Sequence, residues 1–370
     1  MSDFIETDVA IVGAGIAGIG LAADIAADYR VLILEQESRP AYHSTGRSAA
    51  IFIRNYGNAV IRALSRASAP LFDKPDTALF PHPLISPRGL LYVANTEGLK
   101  HHGELMGMAD GLHAISPDEA VAMVPILRRD KIAAAAYEKD AQDIDVNALQ
   151  EGWLRKARAA GVQVLTDAAV TRAERSGGKW LIETPKGTVR ADVLVNAAGA
   201  WADVVAKAAG LSPIGIQPMR RSIAVLPAPE GMDVTGWPLI DDSAEGWYCK
   251  PDAGKLYVSP SEEIPVDPHD AYVDDMVLAE GLDRFEQATT YQVTRLESSW
   301  AGLRSFAPDR TPIAGFDKRA DGFFWLAGQG GYGIQTAPAL SLLAGQLIRR
   351  AQPQDNLADV VDALSPNRFF

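Results

Sequence analysis

The chain reads Asp8-Val-Ala-Ile-Val-Gly13-Ala-Gly15-Ile-Ala-Gly18 near its N-terminus, and Val31-Leu-Ile-Leu-Glu35 follows shortly after. This order predicts a buried strand, a glycine turn, an alanine-rich helix and a second strand that ends in a carboxylate. Gly13 is expected to make the tight turn, Gly15 to let the backbone approach a pyrophosphate, and Gly18 to let the helix pack against the sheet. The two runs together predict a βαβ unit that binds a dinucleotide.

The helix that begins at this turn is expected to hold the phosphates, because its first N–H groups are unpaired and its dipole is positive there. Glu35 stands where an acid binds a ribose diol, which favours a ribose without a 2′-phosphate. The residues expected to contact the dinucleotide here are Gly13, Ala14, Gly15, Ile16, Ala17, Gly18, Glu35 and Gln36.

Two later segments favour FAD over NAD, although both nucleotides bind to such a unit. The run Asp192-Val-Leu-Val-Asn196-Ala-Ala-Gly199-Ala-Trp201 predicts a buried strand that enters a turn of small residues. A second glycine cluster, from Gly328 to Gly333, follows an apolar strand and precedes a helical pattern. A helix N-terminus at that point suits the N1/O2 edge of a flavin, where negative charge develops on reduction.

The composition is that of an ordinary globular protein with excess acid. The 370 residues include 35 Lys and Arg against 47 Asp and Glu, a net charge of -12 that is spread along the chain and argues against nucleic-acid binding. The single cysteine excludes a disulfide framework, and no signal peptide or membrane span is apparent, so a cytoplasmic protein is expected. The histidines have no metal-ligand spacing, so no metal is expected.

The chain resembles the D-amino-acid oxidase family of FAD-dependent oxidoreductases, and within it the bacterial D-arginine dehydrogenases. The matching segments span nearly the whole chain in family order. They are Gly13 to Gly18, Tyr42-His-Ser-Thr-Gly-Arg47-Ser-Ala-Ala50, Asn196 to Trp201, Gln217-Pro-Met-Arg-Arg221-Ser222, Trp300-Ala-Gly-Leu-Arg304-Ser-Phe306 and Gly330 to Thr336.

The resemblance implies an α/β fold with a Rossmann-type FAD-binding domain and an α+β substrate domain whose antiparallel sheet covers the flavin. Residues 1–80, 141–214 and 300–370 are expected to form the discontinuous FAD-binding domain, and residues 81–140 and 215–299 the substrate domain. Alternating stretches at 221–226 and 255–259 predict antiparallel strands. Asp145 is predicted to cap a helix.

The resemblance also implies that FAD is bound noncovalently, since neither His43 nor Cys249 matches a position of covalent attachment. His43 is expected to be a local hydrogen-bonding residue. The further cofactor contacts that the family implies are Ser44, Thr45, Arg47, Ser48, Ala49, Ala50, Val170, Ala198, Gly199, Trp201, Gly302, Arg304, Gly330, Gly331, Tyr332, Gly333, Ile334 and Gln335.

An arginine pair is expected to bind the substrate carboxylate, because a planar guanidinium meets a carboxylate with two parallel hydrogen bonds. Arg221 and Arg304 match the two family positions. Adjacent side chains on a strand point to opposite faces, so Arg220 is expected to face solvent. The remaining residues implied at the reacting end of the substrate are Tyr56 and Tyr248 beside the carboxylate, and Gly331 and Gln335 beside the amino group.

The substrate's side chain is expected to meet an apolar pocket. Leu90, Ile51 and Ile53 stand where the arginine-specific relatives carry polar residues, and burying a guanidinium without its carboxylate costs several kcal/mol. D-Arginine and D-lysine are therefore disfavoured. Arg54, in the same loop, either meets an acidic substrate or lies in solvent, and the second reading is favoured.

The resemblance implies hydride transfer from Cα of a D-amino acid to flavin N5, followed by hydrolysis of the imine to a 2-oxo acid and ammonia. Three alternatives stay open: a secondary-amine oxidase for sarcosine-like substrates, a flavin-dependent 2-hydroxy-acid dehydrogenase, and a noncatalytic flavoprotein. The electron acceptor, and the choice between oxidase and dehydrogenase, also stay open. The expected partner is a small amino acid or amine.

Overall fold

The structure is a computed structural model that describes residues 4–108 and 111–370. Its strands are β1 (Ile5–Glu6), β2 (Val9–Val12), β3 (Val31–Leu34), β4 (Ile51–Phe52), β5 (Ile85–Pro87), β6 (Leu90–Ala94), β7 (Leu112–Ile115), β8 (Ala134–Glu138), β9 (Gln142–Ile144), β10 (Gln163–Leu165), β11 (Arg172–Ser176), β12 (Lys179–Thr184), β13 (Gly187–Ala191), β14 (Val193–Asn196), β15 (Gln217–Pro227), β16 (Leu239–Asp242), β17 (Tyr248–Asp252), β18 (Lys255–Ser259), β19 (Ile264–Pro265), β20 (Ser298–Phe306), β21 (Ile313–Phe316), β22 (Phe323–Ala327) and β23 (Gln329–Gly330).

The helices lie between these strands and after the last of them. They are α1 (Ile16–Ile25), α2 (Ala59–Asp73), α3 (Leu99–Met108), α4 (Pro117–Met123), α5 (Val146–Ala159), α6 (Ala202–Ala208), α7 (Asp275–Ala288), α8 (Gly333–Ile348), α9 (Asp355–Ala358) and α10 (Val361–Leu364). Among the described residues, no helix is both long enough and apolar enough to cross a membrane.

A six-stranded sheet carries the dinucleotide-binding unit. Its strand order is β10-β3-β2-β14-β22-β21, and every pair is parallel except β21 with β22. The predicted βαβ unit is confirmed as β2, α1 and β3. All four residues of β2 and of β3 are buried, as expected for parallel strands covered on both faces.

A larger sheet lies beside the first. Its order is β23-β20-β15-β18-β17-β16-β6-β8-β7, with β19 paired to β15, and its pairs are antiparallel except β16 with β6. The stretches predicted as antiparallel strands fall within β15 and β18, so that prediction is confirmed.

The two faces of this larger sheet have different surroundings, because successive side chains of a strand point to opposite faces. One face packs its apolar residues, such as Leu91 and Val258, against Leu278 of α7 and Ala120 of α4. The opposite face carries the cluster of Leu90, Tyr92, Leu239 and Tyr248. This second face belongs to the candidate site.

The topology crosses the expected domain boundaries at two points. Strand β20 pairs with β15 along Gln217–Val225, so it belongs to the larger sheet, whereas a boundary at residue 300 would divide it. A small sheet of β4, β9 and β5 also joins segments assigned to different domains. The division into two domains stays a prediction. Asp145 caps α5 by accepting a hydrogen bond from Ala148 N–H at 2.8 Å, as expected.

Candidate active site

The glycine turn after β2 adopts the geometry that the sequence predicted. Gly13 has a φ of +107°, and a Cβ there would overlap the carbonyl oxygen of Ala197. A Cβ on Gly18 would overlap the carbonyl oxygen of Gly13, so the helix can sit this close to the turn only with glycine. Gly15 is the N-cap of α1, where the orphan N–H groups of the helix begin.

Glu35 is buried at the end of β3, as expected of an acid that binds a ribose. Its Oε2 accepts a hydrogen bond from Ala14 N–H at 2.7 Å, and its Oε1 accepts one from Glu37 N–H at 2.9 Å. Each carboxylate oxygen has two lone pairs, so the group retains capacity for ribose hydroxyls. Thr45 approaches the same turn and accepts a hydrogen bond from Ile16 N–H at 3.0 Å.

A long cleft connects this turn with the larger sheet. Most of the residues expected to contact FAD line it. These are Gly13, Gly15, Ile16, Ala17, Glu35, Gln36, Ser44, Thr45, Arg47, Ser48, Ala49, Val170, Ala198, Gly199, Trp201, Gly302, Arg304, Gly330, Gly331, Gly333 and Ile334. The other expected contacts, namely Ala14, Gly18, Ala50, Tyr332 and Gln335, are not part of the lining that the described residues form.

The segment before β4, residues 41–49, lines one side of the cleft and is hydrogen-bonded to the larger sheet. Ser44 Oγ donates to the carbonyl oxygen of Leu303 at 2.6 Å. Arg47 Nη1 donates to the carbonyl oxygens of Ala271 and Ala301 at 2.9 and 3.0 Å. His43 Nε2 lies 2.9 Å from Glu37 Oε1, so it forms a local hydrogen bond as expected.

Arg221 and Arg304 enter the cleft from neighbouring strands. Met219 pairs with Arg304 in the register of β15 and β20, and Arg221 lies two residues beyond Met219, so both guanidinium groups lie on the same face of the sheet. Both residues line the cleft. Arg220 points to the opposite face, as expected from strand alternation.

The expectation that Arg220 faces solvent is wrong. Its relative exposure is 8%, and its Nη2 lies 3.3 Å from Oδ2 of Asp274, the N-cap of α7. Strand alternation assigns a side chain to a face but does not say what covers that face. Here the covering helix supplies a carboxylate for the buried charge.

The two cleft arginines repel each other. Burial lowers the pKa of Arg221, and the nearby Arg304 guanidinium lowers it further. Burial also opposes the charge of Arg304, but Tyr56, Tyr248 and Glu263 outweigh it and hold its pKa above the ordinary value. Both guanidinium groups stay charged at neutral pH, so an anion between them would relieve the repulsion.

The carboxylate of Glu263 only partly compensates these charges. Its Oε1 lies 3.5 Å from Arg221 Nη2, whereas both of its oxygens lie 2.9 Å from Arg310 Nη2. The Nε of Arg221 is buried and has no hydrogen-bond partner among the described residues. Glu262 is a second nearby carboxylate that acts to raise the pKa of Arg221, and Arg221 Nε stays an unused donor within the described chain.

Three tyrosines surround the arginines. Tyr248, on β17, is 9% exposed and lines the cleft. Tyr56 is outside the lining that the described residues form, yet its phenol group is close enough to Arg304 to raise the pKa of the guanidinium. Its ring packs edge-on against Tyr332, with the centroids 4.7 Å apart. Tyr332 therefore packs against Tyr56, and neither ring belongs to the lining of the cleft within the described chain.

The two residues expected at the amino group have different positions. Gly331 lines the cleft, and a Cβ there would lie 3.1 Å from Arg304 Cζ, so its backbone is directly beside the guanidinium. Gln335 is 3% exposed, and its Oε1 accepts from Ile53 N–H at 3.1 Å. Its Nε2 donates to Ser65 Oγ at 2.8 Å and to the Ile53 carbonyl oxygen at 3.3 Å. The structure therefore uses the Gln335 amide to hold the loop after β4.

The residues expected to form the side-chain pocket lie in one apolar cluster that includes Tyr248. Leu90 is completely buried, Ile53 is 6% exposed, and Ile51 packs at the edge of the same cluster. None of the three belongs to the lining of the long cleft within the described chain. Arg54 forms a long ion pair with the partly exposed Asp73, at 3.5 Å.

The sequence analysis did not identify two carboxyl groups on this face of the sheet. Glu138 is opposite Leu90 in the pairing of β6 with β8, and Asp241 is opposite Tyr248 in the pairing of β16 with β17. Burial raises the pKa of Glu138 to about 7 and that of Asp241 to about 8. Only the strand register brings them to this face, and the sequence carries no motif for it.

The cleft suits a polar ligand, because residues that line it carry buried polar atoms without hydrogen-bond partners. Arg221 Nε and Gln329 Nε2 are buried and have no hydrogen-bond partner among the described residues, and both residues line the cleft. Buried polar groups are normally paired, so these atoms indicate a polar ligand. Within the described chain, no group of three or more His, Cys, Asp or Glu residues could hold a metal ion.

Comparison with known proteins identifies the family. The family described as FAD dependent oxidoreductase (DAO) matches residues 8–347. The chain belongs to this family. It is therefore an FAD-dependent oxidoreductase, and the glycine turn, Glu35 and the cleft are the parts that fit the cofactor.

Curated relatives match over most of this chain. A glycine oxidase of Geobacillus kaustophilus (strain HTA426) is 25% identical over 374 residues, and the match covers 95% of each protein. Human mitochondrial dimethylglycine dehydrogenase is 24% identical over 389 residues, which cover 98% of this chain but 44% of the relative. The chain thus spans less than half the length of the dimethylglycine dehydrogenases that it matches.

Solved structures share the fold. L-Proline dehydrogenase from P. horikoshii has a TM-score of 0.85 at 20% identity, with 99% of this chain and 98% of that chain covered. Glycine oxidase from Geobacillus kaustophilus has a TM-score of 0.82 at 23% identity, with 96% and 98% covered. The finer resemblance to D-arginine dehydrogenases stays a prediction.

Proposed function

We propose that this protein oxidises the α-carbon of an amino acid, with a preference for D-amino acids that have uncharged side chains. The products are a 2-oxo acid and ammonia, formed when the imine hydrolyses. The observation that carries the proposal is the pair Arg221 and Arg304, two guanidinium groups that face one cleft from adjacent strands. The D configuration rests on the family resemblance alone.

The arginine pair would fix the substrate by its carboxylate. A guanidinium can form two parallel hydrogen bonds to a carboxylate, and such charge-assisted bonds are about twice as strong as neutral ones. Tyr248 lines the same part of the cleft and Tyr56 contacts Arg304, so both phenols are placed to complete the binding of an anion. A carboxylate held this way has a defined orientation, which in turn orients Cα.

Gly331 is the residue best placed to orient the amino group, because its backbone lies beside Arg304 in the lining. Its carbonyl oxygen would accept a hydrogen bond from the amine. The amine reacts in its neutral form, and its proton passes to water. When bound, FAD supplies the acceptor for the hydride that leaves Cα. The residues of this chain thus contribute positioning and charge complementarity.

The apolar cluster around Leu90 supports an uncharged side chain. Leu90, Ile53 and Leu239 are buried beside Tyr248, on the face of the sheet that carries the arginines. Each buried methylene contributes about 0.8 kcal/mol, which gives a several-fold preference per carbon atom. We therefore expect D-methionine, D-leucine and D-phenylalanine to react better than D-arginine.

A second candidate is the oxidation of secondary amines. Some relatives favour it by name, since they include sarcosine dehydrogenases, whose named substrate is a secondary amine, and dimethylglycine dehydrogenases, whose named substrate is an N-methylated tertiary amine. The same arginine pair would bind the carboxylate of an N-methyl amino acid. The two candidates differ in whether the substrate nitrogen carries an alkyl group.

Anaerobic reduction of the flavin distinguishes these functions. The purified FAD-bound protein is mixed with matched panels of D-, L- and N-methyl amino acids and of 2-hydroxy acids, and the loss of flavin absorbance is followed. We expect rapid bleaching by apolar D-amino acids and slow bleaching by their L-enantiomers. Bleaching by N-methyl amino acids alone would replace the first candidate by the second. Bleaching by hydroxy acids, or by no compound of the panels, would refute both.

A further inference from the structure

A carboxyl group lies within the apolar surroundings of the expected side-chain pocket. Glu138 ends β8, where it is paired with Leu90 of β6 on one side and Leu112 of β7 on the other. Residues directly opposite each other in a sheet share a face. Glu138 therefore lies on the same face as Leu90, the face that also presents Tyr92 and Tyr248.

Of the two carboxyl oxygens of Glu138, only Oε1 has a hydrogen-bond partner among the described residues. The residue is 3% exposed, and its Oε1 accepts a hydrogen bond from Asn55 Nδ2 at 3.0 Å. Its Oε2 is buried and has no hydrogen-bond partner among the described residues. A buried acceptor without a partner costs about 1–3 kcal/mol, so a group retained in this state calls for an explanation.

The neighbours of Glu138 connect it with the reacting end of the site. Asn55, its hydrogen-bond donor, directly precedes Tyr56, whose phenol contacts Arg304. The nearby Arg54 has its own carboxylate partner, Asp73, at 3.5 Å. Glu138 thus lies with the apolar cluster of Leu90 and Tyr248 rather than beside the arginines, on the face of the sheet that carries both.

We propose that Glu138 is a specificity-determining residue that binds the far end of the substrate side chain and selects an uncharged side chain ending in a hydrogen-bond donor. Leu90 and Ile53 contact the methylene groups of such a side chain, and Oε2 of Glu138 accepts a hydrogen bond from its terminal amide or hydroxyl. This inference rests on the proposed oxidation of D-amino acids. It adds a polar end to a pocket that the sequence alone predicts to be wholly apolar.

Two substrates of similar reach test the proposal: D-glutamine, which ends in a donor, and D-methionine, which does not. We expect wild-type kcat/KM to be higher for D-glutamine. In Glu138→Met the ratio of the two kcat/KM values should fall at least about tenfold, the effect of losing one strong hydrogen bond, while the value for D-methionine is maintained. Glu138→Gln keeps an amide oxygen and should restore most of the ratio.

The matched control is Glu97→Gln, which removes an exposed acid just after β6 and should leave the ratio unchanged. A merely structural role for Glu138 would lower activity with both substrates equally, and that result would overturn the proposal. If Glu138→Met does not fold with bound FAD, the wild-type comparison still decides, because a higher kcat/KM for D-methionine overturns the proposal. Failure of every D-amino acid to bleach the flavin would instead refute the proposed function.

Discussion

Arg304 combines a buried positive charge with direct access to the cleft, and substrate binding should depend on it strongly. Replacing it by methionine removes a bidentate, charge-assisted contact worth roughly 3 kcal/mol. We expect Arg304→Met to lower kcat/KM for the best D-amino acid by at least about two orders of magnitude. Steady-state kinetics with FAD-saturated enzyme measure this change, and Arg221→Met should act similarly.

Arg220→Met provides the control for this prediction, because Arg220 is adjacent in sequence but pairs with Asp274 on the other face of the sheet. It should reduce the unfolding free energy, since Asp274 loses its partner, and change kcat/KM little. If Arg220→Met impaired catalysis as severely as Arg221→Met, the assignment of the two faces would be wrong.

Glu138 should make stability depend on pH. Its pKa is raised from 4.5 to about 7 in the folded protein, chiefly by burial, so folding favours its protonated form. The contribution of Glu138 to the unfolding free energy is fully present below the pKa that the group has in the unfolded chain. It is lost as the pH rises through about 7, the pKa in the folded protein. Wild type should therefore lose on the order of 2 kcal/mol of unfolding free energy between pH 5 and pH 8 through this group.

Urea unfolding of wild type and Glu138→Gln at both pH values measures this loss. The variant cannot ionise at this position, so its advantage over wild type should be larger at pH 8 than at pH 5. Asp241, whose pKa is raised to about 8, is present in both proteins and cancels in the comparison. An equal difference at the two pH values would show that Glu138 is not the titrating group.

At the scale of elements, a side-chain amide of α8 binds the start of the loop after β4. Gln335, in the first turn of α8, bonds both backbone groups of Ile53 and the hydroxyl of Ser65 on α2. Gln335→Ala leaves these buried groups without their partner, at a cost of about 1–3 kcal/mol. We expect a corresponding fall in the unfolding free energy, together with a higher KM, because the loop carries Tyr56.

Gln346→Ala is the matched control, since Gln346 lies on the same helix and accepts one bond at 3.3 Å from Gln354 N–H. Its unfolding free energy should change much less. A Gln335→Ala protein with normal stability and strongly reduced kcat would instead support the expected role beside the substrate's amino group.

The elements also explain which parts of the fold and of the candidate site could be predicted from the sequence. The glycine turn and Glu35 lie close together along the chain, so their spacing sufficed to predict the βαβ unit and a dinucleotide ligand, whereas the choice of FAD needed later segments. Arg221 was assigned to the cleft by its match to the family motif, and alternation within the strand, a local rule, then placed Arg220 on the other face. Glu138 and Asp241 reach the site through pairing between distant strands, and Asp274 reaches Arg220 from a packing helix. Such contacts depend on register and packing, which no local pattern encodes.

At the scale of the whole molecule, the cleft joins parts that are far apart in the chain. The six-stranded sheet supplies Gly13 and Glu35, the segment before β4 supplies Ser44 and Thr45, and the larger sheet supplies Arg304. A ligand that contacts all three binds only the folded protein. FAD should therefore stabilise the entire fold by mass action, by about 2.7 kcal/mol at a free concentration 100 times its Kd.

Removal of FAD tests this joint role and the noncovalent attachment together. Acid precipitation should release all of the flavin as FAD, and the apoprotein should unfold several degrees lower, with a Tm that rises as FAD is added back. Gly15→Leu should purify with little FAD, since its side chain would project into the cleft where only Thr45 Oγ1 lies nearby, at 3.3 Å from the added Cβ. Gly103→Leu, on α3 with open space around its Cβ, should retain FAD and the wild-type Tm. Flavin that stays with the precipitate would contradict noncovalent binding, and a Tm that does not respond to FAD would mean that the cleft is held together without its cofactor.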